Sequence, residues 1–332
     1  MPVRARRSHR AETVDPTGGE LPKRAVSGLA LGPARATPRA MSRTLPDLVS
    51  TDWLAERLAG NSTGAPDRGD IAVLDATRHL PDANRDPRAE FEAGHIPGAS
   101  FLDLETLTDA ASDVPQALPS PVQLQRRLSQ LGVARGAAIV LYDDSRIRTS
   151  ARAWFMLSAQ GIDNVAILDG GLSKWRAEGR RIESGMPEIH AAQAPETTPP
   201  ARVASKADML ANLASSREQV LDARGADRVF GMGIDPVHGG ANGRIPGSLN
   251  LPYPEIFDDD GTYKSPADLR KAFVAAGIDL DRPVVTTCGS GVTASVLLFA
   301  LHLIGKDDVR LYDGSWMEWS ADPSTPKAQG PA

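Results

Sequence analysis

The sequence predicts an α/β protein of two tandem domains, each a parallel sheet flanked by helices, on three observations. The first is length: 332 residues exceed one ordinary core and suit two domains of about 150 residues each. The second is self-similarity. Val73-Leu74-Asp75-Ala76 returns as Val220-Leu221-Asp222-Ala223, and Ile96-Pro97-Gly98-Ala99-Ser100 as Ile245-Pro246-Gly247-Ser248-Leu249. Leu168-Asp169-Gly170-Gly171 with Trp175 returns as Tyr312-Asp313-Gly314-Ser315 with Trp319. The three offsets, 147, 149 and 144, are nearly constant, as a duplicated domain requires. The third is the alternation of short apolar runs with helical stretches, the signature of a parallel sheet covered by helices.

Residues 1–40 carry eight Lys/Arg against three Asp/Glu, with scattered Pro and Gly and no periodicity. No apolar stretch of secretory type lies there, and Glu12, Asp15 and Glu20 weaken a transit-peptide reading. Residues 1–45 therefore read as a disordered leader, or as an over-extended start with Met41 as initiator. Patterning begins at Leu48–Leu58, where Leu48, Trp53, Leu54 and Leu58 suit one helix face. The first copy runs over 46–182. The Pro-containing, non-periodic stretch 183–202 reads as a linker. The second copy spans 203–322, with strands at Val220–Asp222, Pro283–Thr287 and Val309–Tyr312 and helices at Ala267–Ala276 and Thr293–Leu303. Residues 323–332 read as a tail.

Composition excludes several classes. Hydrophobic residues make up 41% and charged residues 24%, the balance of a soluble globular chain. No run reaches the roughly 18 apolar residues of a membrane span. A net charge of −5, from 42 acidic and 37 basic residues, argues against nucleic-acid binding. Cys288 is the one cysteine, which excludes an intramolecular disulfide framework and a multi-cysteine metal centre. No His/Asp/Glu cluster has metal-ligand spacing, so neither a metal nor a cofactor is expected. A lone thiol points to a reducing, cytoplasmic setting.

Cys288 follows the apolar run Pro283-Val284-Val285-Thr286-Thr287 and precedes Gly289-Ser290-Gly291-Val292-Thr293 and a helical stretch. Strand, tight glycine loop and helix start put it at the carboxyl end of a central strand, where open parallel sheets bind ligands. Glycines let such a loop turn its N–H groups inward as an anion cradle, and the helix start adds positive potential. Both effects favour the thiolate. The bland alternative is a buried structural cysteine. Two reactions suit a loop of this kind. Cysteine phosphatases need His-Cys-five residues-Arg, but Thr287 precedes the cysteine and Ala294 stands at the arginine position. Sulfur transfer needs only a thiolate and N–H groups that stabilise a persulfide.

The loop Cys288-Gly289-Ser290-Gly291-Val292-Thr293-Ala294 resembles that of tandem rhodanese-type sulfurtransferases, in particular those using 3-mercaptopyruvate. Gly94-His95-Ile96-Pro97-Gly98, Leu221-Asp222-Ala223-Arg224 and Tyr312-Asp313-Gly314-Ser315-Trp316 are similar to further family motifs. The resemblance covers roughly residues 46–322. It implies two rhodanese folds, a catalytic cysteine at 288 and an inactive first copy. Tyr142-Asp143-Asp144-Ser145-Arg146-Ile147-Arg148-Thr149 indeed holds aspartates where the thiol would be.

The implied activity is ping-pong transfer of sulfane sulfur from 3-mercaptopyruvate to a thiol or cyanide through a Cys288 persulfide. Two rival readings are a thiosulfate donor and a non-catalytic persulfide carrier. Partners would be a small sulfur donor and a thiol acceptor or a reductant such as thioredoxin, with no nucleic acid and no membrane. The resemblance places a substrate arginine at Arg228, whose planar fork suits a carboxylate. Arg224 reads either as a second anion ligand or as an ion-pair partner of Asp222 or Asp227. Gly289, Ser290, Gly291, Val292 and Thr293 would form the substrate loop, with Ser290 near the keto oxygen and Thr293 capping the helix. Three departures stand out. Val237 occupies the place of a second substrate arginine, Arg244 that of a histidine it replaces as an added positive charge, and Glu105 and Gln116 that of an acidic/histidine pair.

Overall fold

A computed structural model describes residues 45–60, 71–238 and 240–330. The leader expected through residue 45 lies outside the described residues except for Leu45. The first half runs β1 (Leu48–Val49), α1 (Thr51–Gly60), β2 (Ile71–Asp75), α2 (Pro87–Ala93) and β3 (Ser100–Phe101). It continues through α3 (Pro121–Gln130), β4 (Ala138–Tyr142), α4 (Ser150–Ala159), β5 (Val165–Leu168) and α5 (Gly171–Ala177). The second half runs β6 (Val203–Ala204), α6 (Lys206–Ser215), β7 (Gln219–Asp222), α7 (Ala226–Phe230) and β8 (Leu249–Asn250). Then come α8 (Pro266–Ala275), β9 (Val284–Thr287), α9 (Val292–Leu303), β10 (Val309–Tyr312) and α10 (Ser315–Ala321).

The two five-stranded parallel sheets have the same order, β1-β5-β4-β2-β3 and β6-β10-β9-β7-β8, so the predicted fold class and duplication are borne out. Register fixes the equivalences. Val73 faces Val140 in one sheet as Val220 faces Val285 in the other, which makes Asp143 the counterpart of Cys288. The central strands β4 and β9 are buried along their whole length, as strands covered on both faces must be.

One helix expectation changes. Leu48 lies in β1, paired in parallel with Ile167, and the helix begins only at Thr51. Hydrogen bonding to a sheet edge outranks a helical pattern two residues before the helix.

The halves are joined through α4 and α9. α9 (VTASVLLFALHL) is apolar almost all round and α4 is nearly all buried, the behaviour of helices with no solvent face. Trp154 of α4 meets Phe299 of α9 edge-on at 4.8 Å, and Phe299 meets Tyr263 at 5.2 Å. One core cluster accordingly draws residues from both sheets. Polar bonds reinforce this seam. Arg152 Nη2 lies 2.7 Å from Asp313 Oδ1 in a nearly dry ion pair, and Asp313 Oδ2 accepts from the Leu118 amide.

The 183–202 stretch has no regular element, yet it is tied to the first half by Glu183–His95, Ala192–Ser129 and Thr198–Gln160 backbone bonds. The expected tail is anchored through residue 330: Ala328 exchanges two backbone bonds with Arg244, and Gly330 N–H donates to Phe230.

Candidate active site

Cys288 sits directly after β9 and is 2% exposed. The chain must reverse into α9 within three residues. Gly291 makes that possible with φ of 77° as the residue before the helix, a backbone region that suits glycine. A side chain there would also meet Arg152 Nη1 at 2.9 Å, so the seam arginine packs directly under the loop. Ser315, itself at φ 50°, fixes the loop from the other side. Its Oγ accepts from the amides of Cys288 (3.3 Å) and Gly291 (3.1 Å) and donates to the Tyr312 carbonyl (2.8 Å). The Cys288 carbonyl accepts from Trp316 N–H at 3.0 Å and the Gly289 carbonyl from Met317 N–H at 2.9 Å. With carbonyls engaged behind the loop, the amides of Gly289 and Ser290 make no bond to protein among the described residues. They and the amides of the first turn of α9, which no intrahelical carbonyl receives, are the donors this loop has to offer.

The loop floors a cavity of about 420 Å3 walled by both halves. Arg78, Gln116 and Arg146 come from the first half, and Arg224, Arg228, Val237 and His238 from the second. Arg228 Nη2 donates to Asp235 Oδ2 (2.7 Å) and to His238 Nδ1 (2.9 Å). Burial alone would raise the pKa of Asp235, but Arg228 and the Val237 amide hold it well below the usual carboxylate range. Asp235 thus stays ionised and orients Arg228.

Arg224 takes the ion-pair reading. It grips both Asp222 oxygens (2.7–3.2 Å), donates to the Gly243 carbonyl and lies 4.7 Å over the Trp316 ring. Arg224 is nonetheless among the residues lining the cavity, and its buried Nη1 has no acceptor in hydrogen-bond range; Asp235 Oδ2 is 3.8 Å away.

Two expectations are corrected. Arg244 is not among the residues lining this cavity: its guanidinium stacks on Phe230 at 4.9 Å and donates to the Gly330 carbonyl, held there by the returning C-terminal segment. Thr293 does not cap α9, because Gly291 holds the cap position with no side-chain bond; Thr293 lines the cavity instead. Gly289, Ser290 and Val292 line the cavity too, whereas Gly291 is the hinge behind it. Of the Glu105/Gln116 pair, Gln116 reaches the cavity, its Oε1 accepting from Arg78 Nη1 at 2.9 Å, while Glu105 is exposed and outside it.

The rhodanese-like domain family model matches residues 52–178 and 205–322, both halves of the duplication. The chain belongs to the rhodanese family. Among rhodanese relatives, the 3-mercaptopyruvate sulfurtransferase of Mus musculus is 39% identical over 274 residues, covering 82% of this chain and 91% of that protein. The enzyme of the same description from Escherichia coli K12 is 35% identical over 279 residues, 84% of this chain and 96% of that one. The crystal structure of SseA from Escherichia coli aligns with TM-score 0.72 and 34% identity over 82% of this chain and 99% of that one.

Sequence reasoning about this rhodanese missed His238, Asp235, Ser315, Arg78 and Arg146. Ser315 stands inside the Tyr312–Trp316 motif without a role of its own there, and the others come to the cavity or to its arginine from elements that no motif links to the cysteine. Only the adjacency of His238 to Val237, at a position already flagged, could have found one.

Proposed function

We propose that the chain is a sulfurtransferase moving sulfane sulfur from 3-mercaptopyruvate through a persulfide on Cys288 to a thiol or cyanide. The observation that carries this is the electrically neutral loop, Gly289 and Ser290, around a single thiol beneath an arginine-walled cavity. A monocarboxylate donor needs one cationic anchor, which the guanidinium of Arg228 supplies, and leaves the rest of the substrate against neutral donors. The persulfide anion left on Cys288 is held by the loop amides and the positive end of α9. Arg224 Nη1 is a further donor for the carboxylate. A compact dianion such as thiosulfate would call for cations at the loop itself. No helix among the described residues is long and apolar enough to cross a membrane. A reducing compartment such as the cytoplasm, with thioredoxin or a small thiol as acceptor, suits the release step.

Incubation with mercaptopyruvate should add about 32 Da, one sulfur atom on a reactive thiolate, and dithiothreitol should remove it. Cys288→Ser should lose the adduct and at least about 10³-fold in turnover, the scale of a deleted nucleophile. Side-by-side kcat/KM values should favour mercaptopyruvate; thiosulfate clearly ahead would overturn the donor, and an active serine variant would overturn the mechanism.

A further inference from the structure

We propose that His238 is a catalytic hydrogen-bond donor, holding through Nε2–H the enolate oxygen that forms as the carbon–sulfur bond of mercaptopyruvate breaks. This rests on the reading above and assigns it a residue that no motif marks.

His238 rides on the turn closed by the Ile234–Ala241 bridge, with Asp235 Oδ1 accepting from the Val237 amide inside it. The turn drops the imidazole onto the active loop. A Cβ built on Gly289 would lie 2.0 Å from His238 Cε1 and 2.8 Å from Nε2, so the ring fills the place of a side chain next to the cysteine. Gly289 is thus the space the imidazole needs.

The tautomer follows from its partner. Arg228 has no acceptor, so its 2.9 Å contact to Nδ1 uses the imidazole lone pair and leaves the proton on Nε2. A second proton on Nδ1 would face the guanidinium, and Asp235 Oδ2, 3.6 Å from Nδ1, already receives Arg228. Nε2–H is thereby left as a donor, the form in which an imidazole polarises a carbonyl oxygen.

Order along the cavity gives the role. The donor reads sulfur, methylene, ketone, carboxylate. The protein reads Cys288, His238, Arg228: the imidazole lies against Gly289, the residue after the thiol, and its Nδ1 is bonded to the arginine. With sulfur at Cys288 and carboxylate at Arg228, the ketone lies at His238. Among the described residues, His238 is the one imidazole lining this cavity. Cys288 thiolate attacks the substrate sulfur, a sulfur–sulfur bond forms and the sulfur–carbon bond breaks. Its electron pair passes to the enolate, whose charge rests on the oxygen. The enolate carbon then takes a proton from water, balanced by the proton Cys288 released on ionising, and pyruvate departs.

The test is a single-turnover pyruvate burst without acceptor, on native protein, His238→Met and His238→Gln. Methionine keeps bulk without a donor, and glutamine restores an N–H. The burst rate constant should fall about 10²-fold in the methionine variant, the scale of one lost oxyanion donor, and recover at least tenfold of that in the glutamine variant. The half-saturating concentration should move less than about threefold, since a positioning effect on Arg228 would raise it instead. An unimpaired methionine variant, equal losses in both variants, or a rise in half-saturation alone would overturn the assignment to His238. A native protein that gives no pyruvate burst would overturn the mercaptopyruvate reading along with it.

Discussion

The two copies close the same loop by opposite means. In the first, the residue after the central strand is Asp143, whose buried carboxylate accepts from the Ser145 and Ser150 amides. Burial raises the pKa of that carboxyl against the pull of those bonds. In the second copy Cys288 holds the position, and the acceptor comes from behind as Ser315. The residue equivalent to Ser315 is Gly171, also left-handed at φ 60°, and a side chain there would strike the Asp143 carbonyl at 2.4 Å. One copy fills its loop with its own side chain; the other holds the loop from outside and leaves the interior to a thiol and its ligands. The absence of a thiol therefore does not leave an empty site in the first copy. The loop is self-satisfied and serves as structure.

Crossing the seam should have the largest effect on stability. Arg152→Ala strips Asp313 of its buried partner and undermines Gly291 at once. Leaving one member of a buried pair unpaired typically costs about 3–5 kcal/mol, and denaturant unfolding would measure it. Turnover should fall as well, although Arg152 belongs to the copy without a thiol; full activity would show the halves to be independent.

Swapping the left-handed residues probes the closures directly. Gly171→Ser sets a Cβ against backbone, not a flexible side-chain end, and should destabilise by about 1–3 kcal/mol, the range for overpacking. The reverse change, Ser315→Gly, deletes the hydroxyl that receives the Cys288 and Gly291 amides. Its expected loss is about 1–2 kcal/mol, with a drop in the rate of persulfide formation read by mass spectrometry. If Ser315→Gly left that rate intact, the Trp316 and Met317 amides and the helix start would suffice to hold the loop.

The smallest effect concerns pH. His302 at the end of α9 touches Asp307 and, across the seam, Asp47 at 3.0 Å. Burial opposes its charge, but the two carboxylates prevail and raise its pKa. A raised folded pKa means that this stabilisation is complete below the unfolded value of about 6.5 and fades as pH rises through the folded one. Its size should be about 1 kcal/mol or less for a partly exposed pair. The difference between urea midpoints at pH 6 and pH 9 should be altered in His302→Gln by the His302 share alone, since the Asp75 and Asp169 carboxyls, raised by burial to about 6, keep theirs.

Legibility followed distance along the chain. The duplication, β9, the cysteine loop and the start and end of α9 were readable because strand, turn and helix signals adjoin one another there. Arg228 was readable through a motif four residues from Arg224. His238, Asp235 and Ser315 act through chain reversals that no periodicity marks, and Arg78 and Gln116 arrive from the other half. Arg244 misled for the same reason: an added cation was expected to serve the site, but a returning C-terminal segment had already claimed its donors. Leu48 misled at an edge, where two residues of strand carry too little pattern to compete with a helix.

The apolar faces of α4 and α9 also set a timetable. α4 is complete at residue 159, whereas its partner ends at residue 303. At the usual pace of synthesis, about 5–20 residues per second, the ribosome needs about 7–29 s to deliver the second helix after the first. During that interval the nascent first half carries Trp154 and its neighbours without a cover. That is when a holding chaperone would find this chain, and the arrival of α9 is what would release it.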